Sequence, residues 1–252
     1  LSQNLAKYLL NKKISFSRMS VNNFLKLNNK KLVNYDAILN FSINKDFIEK
    51  KYNIKNDFDL KIAKKINSLK VKFVVFSTSK VYKPGKNLKE NSLKKPLTIY
   101  GKNKLISEKK VKNIVSNYLI LRVCNIIGKR SKSGKTNVTN TFFDIIRKNL
   151  KYNRIEIPKI NFFKDFIFID DFCFILHKLL IKDVRGIFNL SSGKKTYLHK
   201  LGNIISKITK KPIIYKDEIT DSFTLNNSKL LKHANIKHKF KKLNSTNIKK
   251  YL

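Results

Sequence analysis

Apolar residues recur along the chain with two periods, one helical and one extended. From Leu1 to Leu10, the residues Leu1, Leu5, Tyr8 and Leu9 fall on one helical face. ISFS (Ile14–Ser17) predicts a short strand, and YDAILNFS (Tyr35–Ser42) a buried one that ends in small and polar residues. Residues Asn56 to Leu69 place Phe58, Ile62, Ile66 and Leu69 on one face of a helix. KFVVFSTS (Lys72–Ser79) is β-branched and aromatic, the composition of a third strand. Tyr100 to Ser116 predicts a long helix whose apolar side is Leu105, Val111, Ile114 and Val115. YLILRVCNIIG (Tyr118–Gly128) is a fourth strand running into a loop. Strand and helix alternate, which predicts an α/β fold: a parallel, doubly wound sheet with helices on both faces.

After Gly128 the pattern is less regular. Lys129–Asn140 is a polar loop, followed by a helix near Thr141–Leu150. FIFI (Phe166–Ile169) reads as a strand, and Asp170-Asp171 lead into an apolar helix at Phe172–Leu180. Gly186–Gly193 is a further strand and turn, Leu198–Thr209 a helix, and Ser228–His233 a short helix in a lysine-rich tail. There is no internal repeat and no linker, so two lobes would have to interleave.

A chain of 252 residues, 42% of them hydrophobic, can bury a substantial core. Charge changes the picture: 56 Lys+Arg against 16 Asp+Glu give a formal net charge of +40. Such an excess fits a polyanionic partner, such as nucleic acid or an anionic membrane surface. However, the lysines run through every segment instead of forming one basic arm. Lys, Asn and Ile, whose codons are A/T-rich, are inflated together. We read the excess as coding bias and expect no nucleic-acid partner. Cys124 and Cys173 are too few for a disulfide framework and fit a reducing cytoplasm. The most apolar run, Phe162–Ile181, is interrupted by Lys164, Asp165, Asp170 and Asp171, which predicts no membrane span. The four histidines show no metal-ligand grouping, so no metal is expected.

The candidate chemistry begins at TIYGKNKLISEKK (Thr98–Lys110). Residues four apart share a helix face, so Tyr100 and Lys104 can act together. An ammonium beside a phenol favours the phenolate and lowers its pKa from the ordinary value of about 10. The same spacing at Tyr82/Lys86 spans Pro84-Gly85, which breaks a helix, and Tyr8/Lys12 runs away from the strand ends. Upstream, the third strand ends in Ser77, Thr78 and Ser79. Ligands of parallel sheets gather at the carboxyl ends of strands, and hydroxyls there also serve simply to satisfy loop backbone.

In order, FSTSKVY, KPLTIYGKNKLISEK, LILRVCNIIG, KDFIFIDD and GIFNLSSG resemble the extended short-chain dehydrogenase/reductases, the nucleotide-sugar epimerases, dehydratases and reductases. The resemblance spans nearly the whole chain. It implies a Rossmann-like cofactor domain from 1–125 and 165–193, with a smaller substrate lobe from 126–164 and 194–252. It also implies catalytic roles for Thr78, Tyr100 and Lys104, with Tyr100, Lys104, Ser77, Ser17 and Arg18 toward a nicotinamide dinucleotide. Asn125, Ser79 and Lys164 are implied at the nucleotide-sugar, Lys164 standing where many members place an arginine against the diphosphate. That exchange keeps the charge and loses the bidentate fork. Asp170 and Asp171 resemble a structural pair. The tail DSFTLNNSKLLK (Asp221–Lys232) resembles the end of the substrate lobe. A homodimer through the helices at Asn56–Leu69 and Tyr100–Ser116 is implied as well, as is a role in surface polysaccharide biosynthesis.

The sequence departs from the family in three ways. The glycine-rich turn that meets a dinucleotide's pyrophosphate has no counterpart ahead of Leu1. Because the sequence begins without Met, we expect a truncated N-terminus. The positions after Thr78 are Ser79 and Lys80, where 4,6-dehydratases carry Asp-Glu, so a reductase or epimerase is expected. The first strand ends in Ser17-Arg18 instead of an acid, which favours NADP over NAD. The alternative class is a non-catalytic, nucleic-acid-binding relative on the same fold.

Overall fold

The computed structural model describes residues 1–129, 142–158, 162–217 and 220–252. The polar loop expected at Lys129–Asn140 lies, beyond Lys129, outside the described residues.

Helix α1 (Ser2–Asn11) matches the expected period. The stretch Ile14–Ser17 does not form a strand. Ile14 and Phe16 are half-buried and Ser15 and Ser17 exposed, as in a strand, but no ladder partner lies beside them among the described residues. Alternation selects a buried face, whereas a strand also needs a neighbour to receive its backbone hydrogen bonds. Short helices follow at α2 (Val21–Lys26) and α3 (Asn29–Leu32), capped by the side chains of Ser20 and Asn28.

Strand β1 (Ala37–Asn40) leads to helix α4 (Lys45–Glu49), and Asp57 caps helix α5 (Phe58–Ile66). Strand β2 (Lys72–Thr78) runs into the one-turn 3-10 helix Ser79–Val81, then strand β3 (Gly85–Leu88). Helix α6 (Ile99–Ile114) is capped by Thr98 and followed by strand β4 (Tyr118–Val123). The fourth expected strand breaks at Cys124, and β5 (Asn125–Ile127) leaves for another sheet.

Beyond it come helix α7 (Phe142–Leu150) and strands β6 (Ile155–Pro158), β7 (Phe163–Lys164) and β8 (Phe166–Phe168). Helix α8 (Ile169–Ile181) takes Asp170 and Asp171 into its first turn, where carboxylates suit the helix dipole. Strands β9 (Gly186–Leu190) and β10 (Thr196–Tyr197) precede helix α9 (Leu198–Thr209). Strands β11 (Ile213–Lys216) and β12 (Phe223–Leu225) and helices α10 (Ser228–His233) and α11 (Ser245–Lys249) complete the chain.

The main sheet has the order β1-β2-β4-β9, and every pairing in it is parallel. Successive side chains on a strand point to opposite faces, and this sorts the core. Phe73, Val75 and Ile120 pack with Val21, Phe24, Ile62, Ala63, Ile66 and Val111 from α2, α5 and α6. Val74, Leu119 and Leu121 pack on the other side with Leu5 and Leu9 of α1 and Phe172, Leu176 and Leu179 of α8. Burial on both faces explains the continuous apolar runs. A second sheet, β10-β7-β12-β3, draws strands from widely separated parts of the chain, and β5-β8 and β11-β6 are separate parallel pairs. Asp171 accepts from His238 Nε2 at 2.9 Å, and Asp170 from Tyr251 and Lys241, so the acidic pair ties the tail to α8.

Candidate active site

The candidate residues lie at the carboxyl ends of β1 and β2 and at the start of α6. Thr78 ends β2, and its Oγ1 accepts the backbone N–H of Lys80 at 3.3 Å, capping the 3-10 turn. That turn lies directly on the start of α6. A Cβ added to Gly101 would stand 2.3 Å from the Lys80 carbonyl oxygen and 3.1 Å from Pro96 Cβ. Only glycine lets the two backbones come this close, and the contact packs the turn that follows Thr78 against the start of α6, where Tyr100 lies.

Tyr100 is half-buried. Its hydroxyl has no hydrogen-bond partner among the described residues. Lys104, one turn on, is 5% exposed, and its Nζ donates to Asp59 Oδ2 at 2.7 Å. The lysine was expected to lower the phenol's pKa. Burial instead raises it, Lys104 opposes that rise, and the Asp59 carboxylate adds to it. The net result is a phenol held in its protonated form.

The other expected residues fall in different settings. Ser77 is buried, and its hydroxyl donates to Glu108 on α6. Glu108 in turn accepts from Arg122 Nε and Nη2, the shortest contact being 2.7 Å. Arg122 also donates to Tyr82, which donates to Asn189 on β9 at 2.7 Å. Ser79 is buried in the 3-10 turn. Asn125 Nδ2 donates to the Asp165 carbonyl at 3.1 Å. Ser17 Oγ accepts from Tyr35 at 3.1 Å, and exposed Arg18 donates to Ser2 Oγ at 3.4 Å.

Lys164, on β7, donates to Thr220 Oγ1 at 3.1 Å and to the Asp221 carbonyl at 2.9 Å. Burial, and then the charge of Lys80, lower its pKa to about 8. The ammonium of Lys80, in the 3-10 turn, therefore acts electrostatically on Lys164 of the second sheet. Next to Lys164, the Asp165 carboxylate accepts from Ser192 N and Oγ, Gly193 N and Leu225 N, which pins β7, the turn after β9 and β12 together.

Sequence reasoning missed Asp59, Asn40, Lys80 and Asp165. Asp59 lies between the apolar positions Phe58 and Ile62 of α5 and was not singled out from the sequence.

Solved structures share this fold. The enzyme WbmG from Bordetella bronchiseptica, in complex with NAD and UDP, is 17% identical, with a TM-score of 0.75 over 97% of this chain and 88% of that one. A mutant UDP-glucuronic acid 4-epimerase from Bacillus cereus, bound to a fluorinated UDP-sugar and NAD, is 19% identical, with a TM-score of 0.74 over 99% and 84%. A UDP-N-acetylglucosamine 4-epimerase from Methanobrevibacter ruminantium, in complex with UDP-N-acetylmuramic acid, is 18% identical, with a TM-score of 0.71 over 94% and 80%. At these identities the likeness carries the fold. The sequence itself goes further, because residues 11–191 match the NAD dependent epimerase/dehydratase family, and the chain belongs to that family as an enzyme of the extended short-chain dehydrogenase/reductase type.

Proposed function

We propose that the protein interconverts a hydroxyl and a carbonyl on a nucleotide-activated sugar, as a keto-sugar reductase or as an epimerase acting through a transient keto intermediate. One observation carries the proposal: a half-buried phenol, Tyr100, with no hydrogen-bond partner among the described residues, one turn from the buried ammonium of Lys104. When bound, the nicotinamide supplies or accepts the hydride at the sugar carbon. Tyr100 moves the proton on the attached oxygen. Thr78 Oγ1 accepts from Lys80, so its own O–H is available to donate to the same oxygen. A protonated phenol suits the step that delivers a proton to a carbonyl oxygen.

The residues fit the ribose end of a dinucleotide. An ammonium carries three N–H bonds, Asp59 takes one from Lys104, and the others can donate to a ribose diol. NAD is the cofactor we infer, from the family. An NADP preference would rest on Arg18, and turnover compared with each dinucleotide, before and after Arg18→Ala, tests it. Hydride transfer, followed by nicotinamide absorbance with a panel of UDP-sugars and nucleotide-4-keto sugars, tests the function itself. Buried free thiols at Cys124 and Cys173 fit a reducing cytoplasm, and among the described residues no helix is long and apolar enough to cross a membrane. Localising a tagged copy of the chain tests the compartment, and a signal outside the cytoplasm would remove that assignment. On the expected division into a cofactor domain (1–125 and 165–193) and a substrate lobe (126–164 and 194–252), we infer that the substrate binds between the main sheet and the β10-β7-β12-β3 sheet.

For the diphosphate we infer Lys164, with Lys80 beside it. The ammonium of Lys164 is present below pH about 8 and lost above it. UDP binding measured by calorimetry is therefore expected to weaken as pH rises through that value, and to lose that dependence in Lys164→Met. Affinity that is flat across the same range would remove Lys164 from the site.

The family resemblance carries pairing through α5 and α6. The outward side of α6 presents Lys102, Lys109, Lys110 and Lys112, while its Glu108 is buried. Two such faces repel each other at low ionic strength. Sedimentation equilibrium is expected to show a dimer that tightens as salt is raised. A monomer at every salt concentration would exclude it.

A further inference from the structure

Asp59 touches the site's lysine from a different helix. Its Oδ2 accepts from Lys104 Nζ at 2.7 Å, and its Oδ1 accepts from Asn40 Nδ2 at 2.7 Å. Asp59 is 3% exposed. Asn40 is oriented in turn, because its Oδ1 accepts the Ser42 backbone N–H at 2.9 Å at the end of β1. A ring closes over the pair, with Lys104 Nζ 5.6 Å from the centroid of Phe47 on α4.

On the α5 side, Asp57 accepts from Tyr52, Ser107 and its own helix at Leu60 N, and burial raises its pKa. On α6, Glu108 is paired with Arg122 of β4. The turn after β2 shows its Lys80 backbone to Gly101. What faces Tyr100 electrostatically is Lys104 and, behind it, Asp59.

We propose that Asp59 is a positioning residue of the active site, one that holds Lys104 and thereby sets whether the Tyr100 hydroxyl keeps or releases its proton. The role assumes the acid/base function of Tyr100 proposed above. A lone buried ammonium would stabilise phenolate strongly. With a carboxylate at 2.7 Å the two charges form a neutral pair, and the phenol meets a dipole instead of a net charge. Tyr100 then rests as a proton donor, and Lys104 keeps a fixed direction toward the end of β1.

Asp59→Asn keeps the shape and removes the charge. In protein carrying tyrosine labelled at the ring Cζ, the Tyr100 resonance is identified by its loss in Tyr100→Phe and titrated by NMR. The Tyr100 midpoint is expected at lower pH in Asp59→Asn than in the wild type, the pH profile of kcat is expected to move the same way, and Asp59→Glu is expected to restore both. Asp59→Ser, small enough to admit water beside the ammonium, is a second uncharged variant with the same expected result. An unmoved or raised midpoint in either folded variant overturns the proposal. So does the absence of any Tyr100 titration, in wild type and variants alike, below the pH at which the fold is lost. Failure of the proposed function would look different: no hydride transfer with any sugar nucleotide, while the titration still moves.

Discussion

Tyr100→Phe is expected to lower kcat for hydride transfer by about 10²–10⁴-fold, the range that a positioned general acid or base contributes. The substitution removes one oxygen and leaves the ring. Because the hydroxyl makes no hydrogen bond with the described residues, deleting it leaves no buried partner unsatisfied. Stability and nucleotide binding should therefore be nearly unchanged, which separates a chemical role from a structural one. Hydride and proton must both move for the oxygen to change state, so a site without the phenol must draw its proton from water. Single-turnover rates with bound substrate check the prediction directly. Turnover that survives the substitution intact would remove Tyr100 from the chemistry, whatever its position.

The Tyr100–Lys104 pair was legible because helical spacing forces residues four apart onto one face, and no tertiary information is needed for that. The carboxyl end of β2 was legible because a β-branched run ends there in hydroxyls, and the choice of Thr78 among the three came from the family resemblance. The electrostatics were not legible. Asp59 meets Lys104 only because α5 and α6 pack side by side, and nothing local in FDLKIAKKI marks an acid as an internal counter-ion. For that reason the spacing led to the expectation of a lowered phenol pKa, and the fold reverses it. Ser77 was indistinguishable from its two hydroxyl neighbours. Its buried placement puts it on Glu108 while Thr78 stays at the turn.

Elements long enough to show a period were recovered, among them α1, α5, α6, α9, β2 and β9. The strands β3, β7, β10 and β12 are two to four residues long, too short for alternation to stand above chance, and they pair across distant parts of the chain. The break at Cys124 left no trace, because YLILRVCNIIG stays apolar through the point where the strand changes sheets. Ile14–Ser17 shows the converse: alternation was present, yet a ladder partner was absent among the described residues.

The largest stability effect is expected at a residue with no chemical role. Glu108→Ala should cost about 3–5 kcal/mol of folding free energy, as removal of one partner from a buried ion pair does. Arg122 is 2% exposed, and both oxygens of Glu108 receive its guanidinium, at 2.7 to 3.3 Å. Burial opposes its charge, and the carboxylate more than offsets that and raises its pKa. Without Glu108 the cation stays buried, the Ser77 hydroxyl loses its acceptor, and the remaining contacts of Arg122, to Tyr82 and the Glu90 carbonyl, cannot neutralise it. Urea denaturation followed by circular dichroism measures the loss. The double variant Glu108→Leu/Arg122→Met should recover a large part of it, because two apolar side chains of similar volume carry no desolvation penalty. A loss below about 1 kcal/mol, the level of an exposed pair, would mean that water reaches the guanidinium. In that case the end of β2, and with it Thr78, would not be held as rigidly against α6 as the proposed proton transfer requires.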